Sequence, residues 1–149
     1  YYPQLLLVLL TIVTIMGRRK ARTSQRPRFK INPSTFFRRG LTLVFCGHEL
    51  MQNIELNATN YRRFRSHFGV SPGTCAVCWN IIEHKLPRNL VYTHLLWALM
   101  FLKVYGTESV LSTKCNCDEK TFRTKVWIIL KAIDSVKSSV VSSCFFLSN

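Results

Sequence analysis

From Asn60 onward the apolar positions recur at helical spacing, and each run is bracketed by start and stop residues. Tyr61, Phe64 and Phe68 fall at i, i+3 and i+7, Asn60 can cap and Gly69 can stop, while Arg62, Arg63 and Arg65 face the other way. Ser71-Pro72 opens a second helix, since serine caps and proline suits a first turn where its missing N–H needs no partner. Val77 and Ile81, with Trp79 and Ile82, make its apolar side, and Pro87 ends it. The FGVSP link is short, so Asn60 to Lys85 reads as a helical hairpin or a degenerate helix-turn-helix. The stretch THLLWALMFLKVY, from Thr93 to Tyr105, is apolar nearly all round and is closed by Gly106. A helix of that pattern is buried on most sides, and it is too short to span a bilayer, which takes roughly twenty residues. His94 near its start reads as a capped core or interface histidine and not as a ligand. Thr107 then caps a short helix with Glu108 in its first turn. Cys115-Asn116-Cys117 turns the chain, and Asp118 caps a last helix whose inward stripe is Phe122, Val126, Ile129, Leu130 and Ile133.

Outside these helices the periodicity fails. Leu5 to Met16 is an apolar run broken only by Thr11 and Thr14, short for a span but compatible with membrane contact. Nine Lys and Arg lie between Gly17 and Gly40, and no acid precedes Glu49. Such a block repels itself and buries little, so residues 18–57 are expected to be a largely disordered arm. Thr42 to Phe45 is a weak strand signal or a stray apolar patch. Residues 135–149, SVKSSVVSSCFFLSN, lose the helical period and read as a disordered or non-native tail. The expected fold is therefore all-α: a small helical bundle containing a helix-turn-helix over 58–134, after an apolar segment (1–17) and the basic arm. The chain begins at Tyr1, not Met, which reads as a fragment or a processed product.

Charge sharpens this picture. The 149 residues carry 21 Lys and Arg against 7 Asp and Glu, a net charge of +14, which attracts polyanions, nucleic acid first and an acidic membrane surface second. In a helix-turn-helix the second helix meets base edges with its early residues, and flanking cations meet phosphates. That assigns DNA contact to Lys120, Arg123, Thr124, Lys125 and Lys131, with Arg123 placed to hold guanine bidentately. Trp127 shares that side and reads as packing against a neighbouring helix. Six cysteines raise zinc or disulfides. A Cys75, Cys78, Cys115, Cys117 site is the alternative to buried thiols in a reducing compartment, although the two pairs lack knuckle spacing. The seven acids form no carboxylate cluster, and there is no Gly-rich phosphate loop, no HExxH and no nucleophile elbow. The expectation is a non-enzymatic chain without a cofactor.

The segments YRRFRSHFGVSPGTCAVCWNII, THLLWALMFLKVYGTESVL and DEKTFRTKVWIILKAI resemble the N-terminal region of Harbinger-like transposases of the DDE superfamily, in their algal and diatom form. The resemblance covers about Tyr61 to Ser135. It implies a helix-turn-helix region that precedes an RNase H-like nuclease domain, DNA as partner and the nucleus as location. Arg123 and Trp127 match the KTFR…VW positions of that family, which often carries an aromatic just after an Arg-Lys pair where this chain has Arg123-Thr124-Lys125-Val126-Trp127. No position of the family's acidic triad is found in this chain, as expected for a broken transposon copy. The competing expectation is a membrane-anchored basic protein, with Leu5 to Met16 as anchor and Arg18-Arg19-Lys20 beside it.

Overall fold

A computed structural model describes residues 31–45 and 57–145, with side chains through Val136. Among the described residues there are six α-helices, one short 3-10 turn at Glu83–Lys85 and no strand. We number the helices α1 (Pro33–Val44), α2 (Ala58–Phe68), α3 (Pro72–Ile82), α4 (Tyr92–Val104), α5 (Glu108–Lys114) and α6 (Glu119–Phe145).

The first helix lies inside the segment expected to be disordered. Asn32 starts it by accepting a hydrogen bond from the Ser34 N–H at 3.0 Å, and Pro33 occupies the first turn. Phe36, Phe37, Gly40, Leu41 and Leu43 are buried, while Arg38 and Arg39 point outward. Two phenylalanines and two leucines on one face bury enough apolar surface to order a helix whose charges need only reach solvent. Thr42–Phe45 is thus the end of a helix and not a strand. The rest of the expected arm (18–30 and 46–56) and the apolar run 5–16 lie outside the described residues. No described helix is long and apolar enough to cross a membrane.

The cap of α2 lies three residues before the expected Asn60. Asn57 Oδ1 accepts from the Asn60 N–H at 2.9 Å, so Asn57 does the capping. Gly69 ends α2 with φ 76°, and its N–H donates to Arg65 O at 2.8 Å, the left-handed stop that glycine favours. α1 lies close against α2 because residue 40 has no side chain: an added Cβ there would sit 2.2 Å from Phe64 Cε2 and 2.9 Å from Phe68 Cε2. α3 starts as expected, with Ser71 Oγ accepting from the Thr74 N–H. Its buried face is shifted from the expected one. Cys75, Cys78, Trp79 and Ile82 point inward, and Val77 and Ile81 are half-buried, because thiols fill apolar positions here.

α4 is the central helix, touching all five others. Every residue from Thr93 to Met100 is buried. It ends on Tyr105, whose backbone is left-handed at φ 53°, one residue before the expected glycine. Gly106 serves packing instead, since a Cβ there would press Leu111 at 3.2 Å. α6 covers α4 with Phe122, Val126, Ile129, Leu130 and Ile133, all buried as expected. It does not stop at residue 134. Ser135 Oγ donates to Ala132 O at 2.8 Å, which satisfies the hydroxyl within the helix, and Val136 extends the buried stripe.

Candidate nucleic-acid interface

The junction of α5 and α6 is built from backbone outward. Thr107 Oγ1 accepts from the Val110 N–H and starts α5. At its other end the Asn116 N–H donates to Thr113 O and the Cys117 N–H to Ser112 O, with Asn116 left-handed at φ 53°. These two bonds make a Schellman turn, with asparagine in the place glycine usually takes. Asp118 then caps α6 through Oδ1, which accepts from the Thr121 N–H at 2.8 Å. The Thr121 hydrogen bonds hold the Asp118 carboxyl below its usual pKa, so the anion stays at the positive end of the helix.

Helical geometry separates the five residues assigned to DNA contact. Lys120, Arg123, Thr124 and Lys131 share the outward side of α6 and are exposed. Lys125 lies three residues after Phe122 and four before Ile129, on the flank of the buried stripe, and it is turned inward. Its Nζ stands 3.1 Å from His94 Nε2 and 5.7 Å from the centroid of the Trp97 ring. The structure thus places four of the five together and sends Lys125 to α4. Trp127 is half-buried and packs on the core, as expected.

Arg123 is not a free fork. Its Nε and Nη2 both meet Glu108 Oε2 from the first turn of α5. That hydrogen bond, and then the carboxylate charge, raise the guanidinium pKa above its ordinary value. The pairing spans fifteen residues of sequence and is exposed to solvent, the class of ion pair that water and salt weaken most. Glu119 and Asp134 are also exposed on α6, so three cations on this side stand among several carboxylates.

His94 is buried beneath Lys125. Its Nδ1 accepts from the Val91 N–H at 2.9 Å, which ties the start of α4 and assigns the ring proton to Nε2. Lys125 therefore faces an N–H, not a lone pair. Burial, and then the Lys125 charge, push the His94 pKa down to about 4, so the ring is neutral near pH 7. Its role is the structural one expected, with its ring edge against Trp97 at 4.6 Å between centroids.

The four paired cysteines do not converge. All are free thiols, and no group of three or more His, Cys, Asp or Glu among the described residues could hold a metal ion. Burial pushes Cys78 up to about 12 and Cys75 well above the ordinary range; it also pushes Cys115 to about 12, with Cys117 adding to the shift. These are packing thiols without thiolate character. A depression of about 430 Å³ between the starts of α1, α2 and α3, walled by Pro33, Phe37, Tyr61 and Pro72, has no carboxylate, histidine or thiol in its lining.

Sequence reasoning passes over one surface. Arg38 and Arg39 on α1 and Arg62, Arg63 and Arg65 on α2 are all exposed, and neither helix contains an acid. The readable signal is the absence of acids across both segments, hidden when the first is treated as unstructured. No protein-family profile, curated protein or solved structure matches the chain.

Proposed function

We propose that this chain is a helical DNA-binding domain of transposase-derived type, acting in the nucleus, which presents the outward side of α6 to a duplex and carries no reaction of its own. One observation carries the reading: α6 follows a capped tight turn, buries an unbroken aliphatic stripe, and exposes Lys120, Arg123, Thr124 and Lys131 on one side. A helix anchored on one face and cationic on the other suits a groove bounded by phosphates. The transposase origin rests on the resemblance over Tyr61 to Ser135. Of the five assigned residues, Lys125 is withdrawn, because reaching DNA would strip its ammonium from the face of the Trp97 ring.

The test is fluorescence anisotropy of labelled duplex DNA with the purified chain at two salt concentrations. Binding should weaken steeply as salt rises, since displaced counterions drive a cationic complex. No binding at low salt refutes the function. Binding with a flat salt response refutes the cationic mechanism.

A further inference from the structure

Among the described residues the positive charge of α6 is partly offset by neighbouring acids. From Thr107 to Val136 there are five cations (Lys114, Lys120, Arg123, Lys125 and Lys131) and four acids (Glu108, Asp118, Glu119 and Asp134). α1 and α2 hold five cations and no acid. Potential at a surface follows this local balance, because opposite charges within a Debye length of roughly 10 Å cancel.

The cations of α1 and α2 adjoin others. The Arg63 guanidinium lies over the Phe45 ring at the end of α1, 5.5 Å from its centroid, and donates through Nη1 to Asn60 Oδ1 at 3.1 Å. Among the described residues no carboxylate pairs with it. Arg39 and Lys114 both lie near the Cys115 thiol, and each lowers its pKa against the larger effect of burial. Lys114 in turn stands close enough to His67, one turn along α2 from Arg63, to help burial hold that imidazole below its ordinary pKa. With α1 packed on α2 at Gly40 and the Arg63 guanidinium over Phe45, the exposed Arg38, Arg39, Arg62, Arg63 and Arg65 adjoin as one basic surface, with Lys114 of α5 near Arg39. Glu49 and Glu55, between α1 and α2 in sequence, lie outside the described residues.

We propose that this surface takes the sugar-phosphate backbone of the bound nucleic acid and supplies most of the affinity, leaving α6 to lie against the groove. The proposal rests on the DNA-binding reading above. Two features favour nucleic acid over an anionic membrane. The five cations of α1 and α2 are all arginine, whose planar fork grips a phosphate through two parallel hydrogen bonds. The large exposed apolar residues on the described part are Tyr61, Val91, Val104, Tyr105 and Val110, and only Tyr61 lies on these two helices. A membrane-surface helix needs a broad apolar face to sink among lipids.

The experiment compares the full chain with two triple variants, R39Q/R63Q/K114Q and K120Q/R123Q/K131Q, on one mixed-sequence duplex across a salt series. Removing one phosphate-binding cation lowers the slope of log K against log salt by about 0.9. The first variant should lower the slope by about two to three units and the second by about one or less. Circular dichroism melting checks that each variant folds, and the single changes R39Q and R63Q, each lowering the slope by about one, serve if the triple does not. An unchanged slope in a folded R39Q/R63Q/K114Q chain overturns the proposal while the DNA-binding reading stands. A parent chain that binds no DNA at low salt overturns the reading itself. Binding to phosphatidylserine vesicles that exceeds binding to DNA and is lost in R39Q/R63Q/K114Q overturns the choice of nucleic acid.

Discussion

Replacing Gly40 with alanine tests whether α1 belongs to the domain at all. In a free helix this change stabilises, because alanine exceeds glycine in helix propensity by about 1 kcal/mol. Here the new methyl would sit 2.2 and 2.7 Å from two ring atoms of Phe64 and 2.9 Å from Phe68, against ordinary carbon–carbon separations of about 3.5–4.0 Å. The rings have little freedom to yield. Phe64 and Phe68 are fully buried, their centroids are 4.6 Å apart, and Phe37 closes the other side at 5.8 Å from Phe64. Overpacking of this kind costs about 1–3 kcal/mol, and a clash this deep belongs at the upper end. Subtracting the propensity gain leaves a net loss of about 2 kcal/mol. With a urea m-value of about 2 kcal/mol/M, the midpoint should fall by about 1 M at unchanged m. Shrinking the obstacle should restore part of the loss: the Gly40→Ala effect should be smaller in a Phe64→Leu background, a coupling expected between touching residues. Gly73→Ala is the control, since a Cβ there meets only Ser71 Oγ at 3.7 Å, and it should leave the midpoint unchanged or raise it. A Gly40→Ala midpoint equal to or above the parent's would refute the packing of α1 on α2 and return residues 33–44 to the status of an arm.

Stability should also fall in mild acid. Between pH 6.5 and about 4 the unfolded chain binds a proton that folded His94 refuses, so stability is full above that window and declines through it by up to about 1.4 kcal/mol per pH unit. His67, also shifted down, adds in the same direction. His94→Gln keeps an acceptor within reach of the Val91 N–H and removes the titration, so its urea midpoints over this range should be flatter than the parent's; equal steepness would clear His94 of the effect. Native-state labelling with a thiol reagent, read by mass spectrometry, should leave Cys75 and Cys78 unmodified until denaturant is added, and labelling at native rates would contradict their burial. Glu108→Gln should tighten DNA binding and steepen its salt slope by up to about one unit by releasing Arg123, whereas weaker binding would mean that the ion pair presents Arg123 rather than restrains it.

The elements that can be read from the chain are those whose apolar period runs unbroken. The stripe Phe122, Val126, Ile129, Leu130 and Ile133 is buried as expected, Thr93 to Met100 are buried while Lys103 to Tyr105 at the end of that helix are exposed, and the caps at Ser71, Thr107 and Asp118 bond as expected. α1 is hidden by averaging. Its Asn32-Pro33 start and its paired phenylalanines are ordinary helix signals, but they sit within a cationic block that reads as self-repelling. α3 is misphased when Val77 and Ile81 set its apolar side and the thiols of Cys75 and Cys78, though read as buried, are not counted toward it. The end of α6 escapes because serine reads as a breaker until its hydroxyl is given a carbonyl. The inward turn of Lys125 is legible, since its spacing from Phe122 and Ile129 already puts it on the buried flank. The Arg123–Glu108 pair is not, because nothing local links residues on two helices that meet only after the Cys115–Cys117 turn is made.

That pair decides how the two basic surfaces would share the work of binding. A guanidinium held by a carboxylate presents a nearly neutral unit to a distant phosphate, so it adds little to long-range attraction. It can still exchange one partner for another at close range, where a guanine edge or a phosphate competes with Glu108 for the same N–H groups. The exchange returns little net energy, and what it returns depends on how well the new partner matches the fork. Such a group discriminates more than it attracts. The arginines of α1 and α2 have the opposite character: with no acid on either helix, they attract any phosphate chain and reject none. On the proposed DNA-binding reading, affinity from one surface and selectivity from the other would follow from where the acids of the described residues lie. The separation has a measurable consequence. Neutralising α1 and α2 should lower affinity for all duplexes alike, and altering Arg123 or Glu108 should change the ranking of duplexes more than the mean affinity.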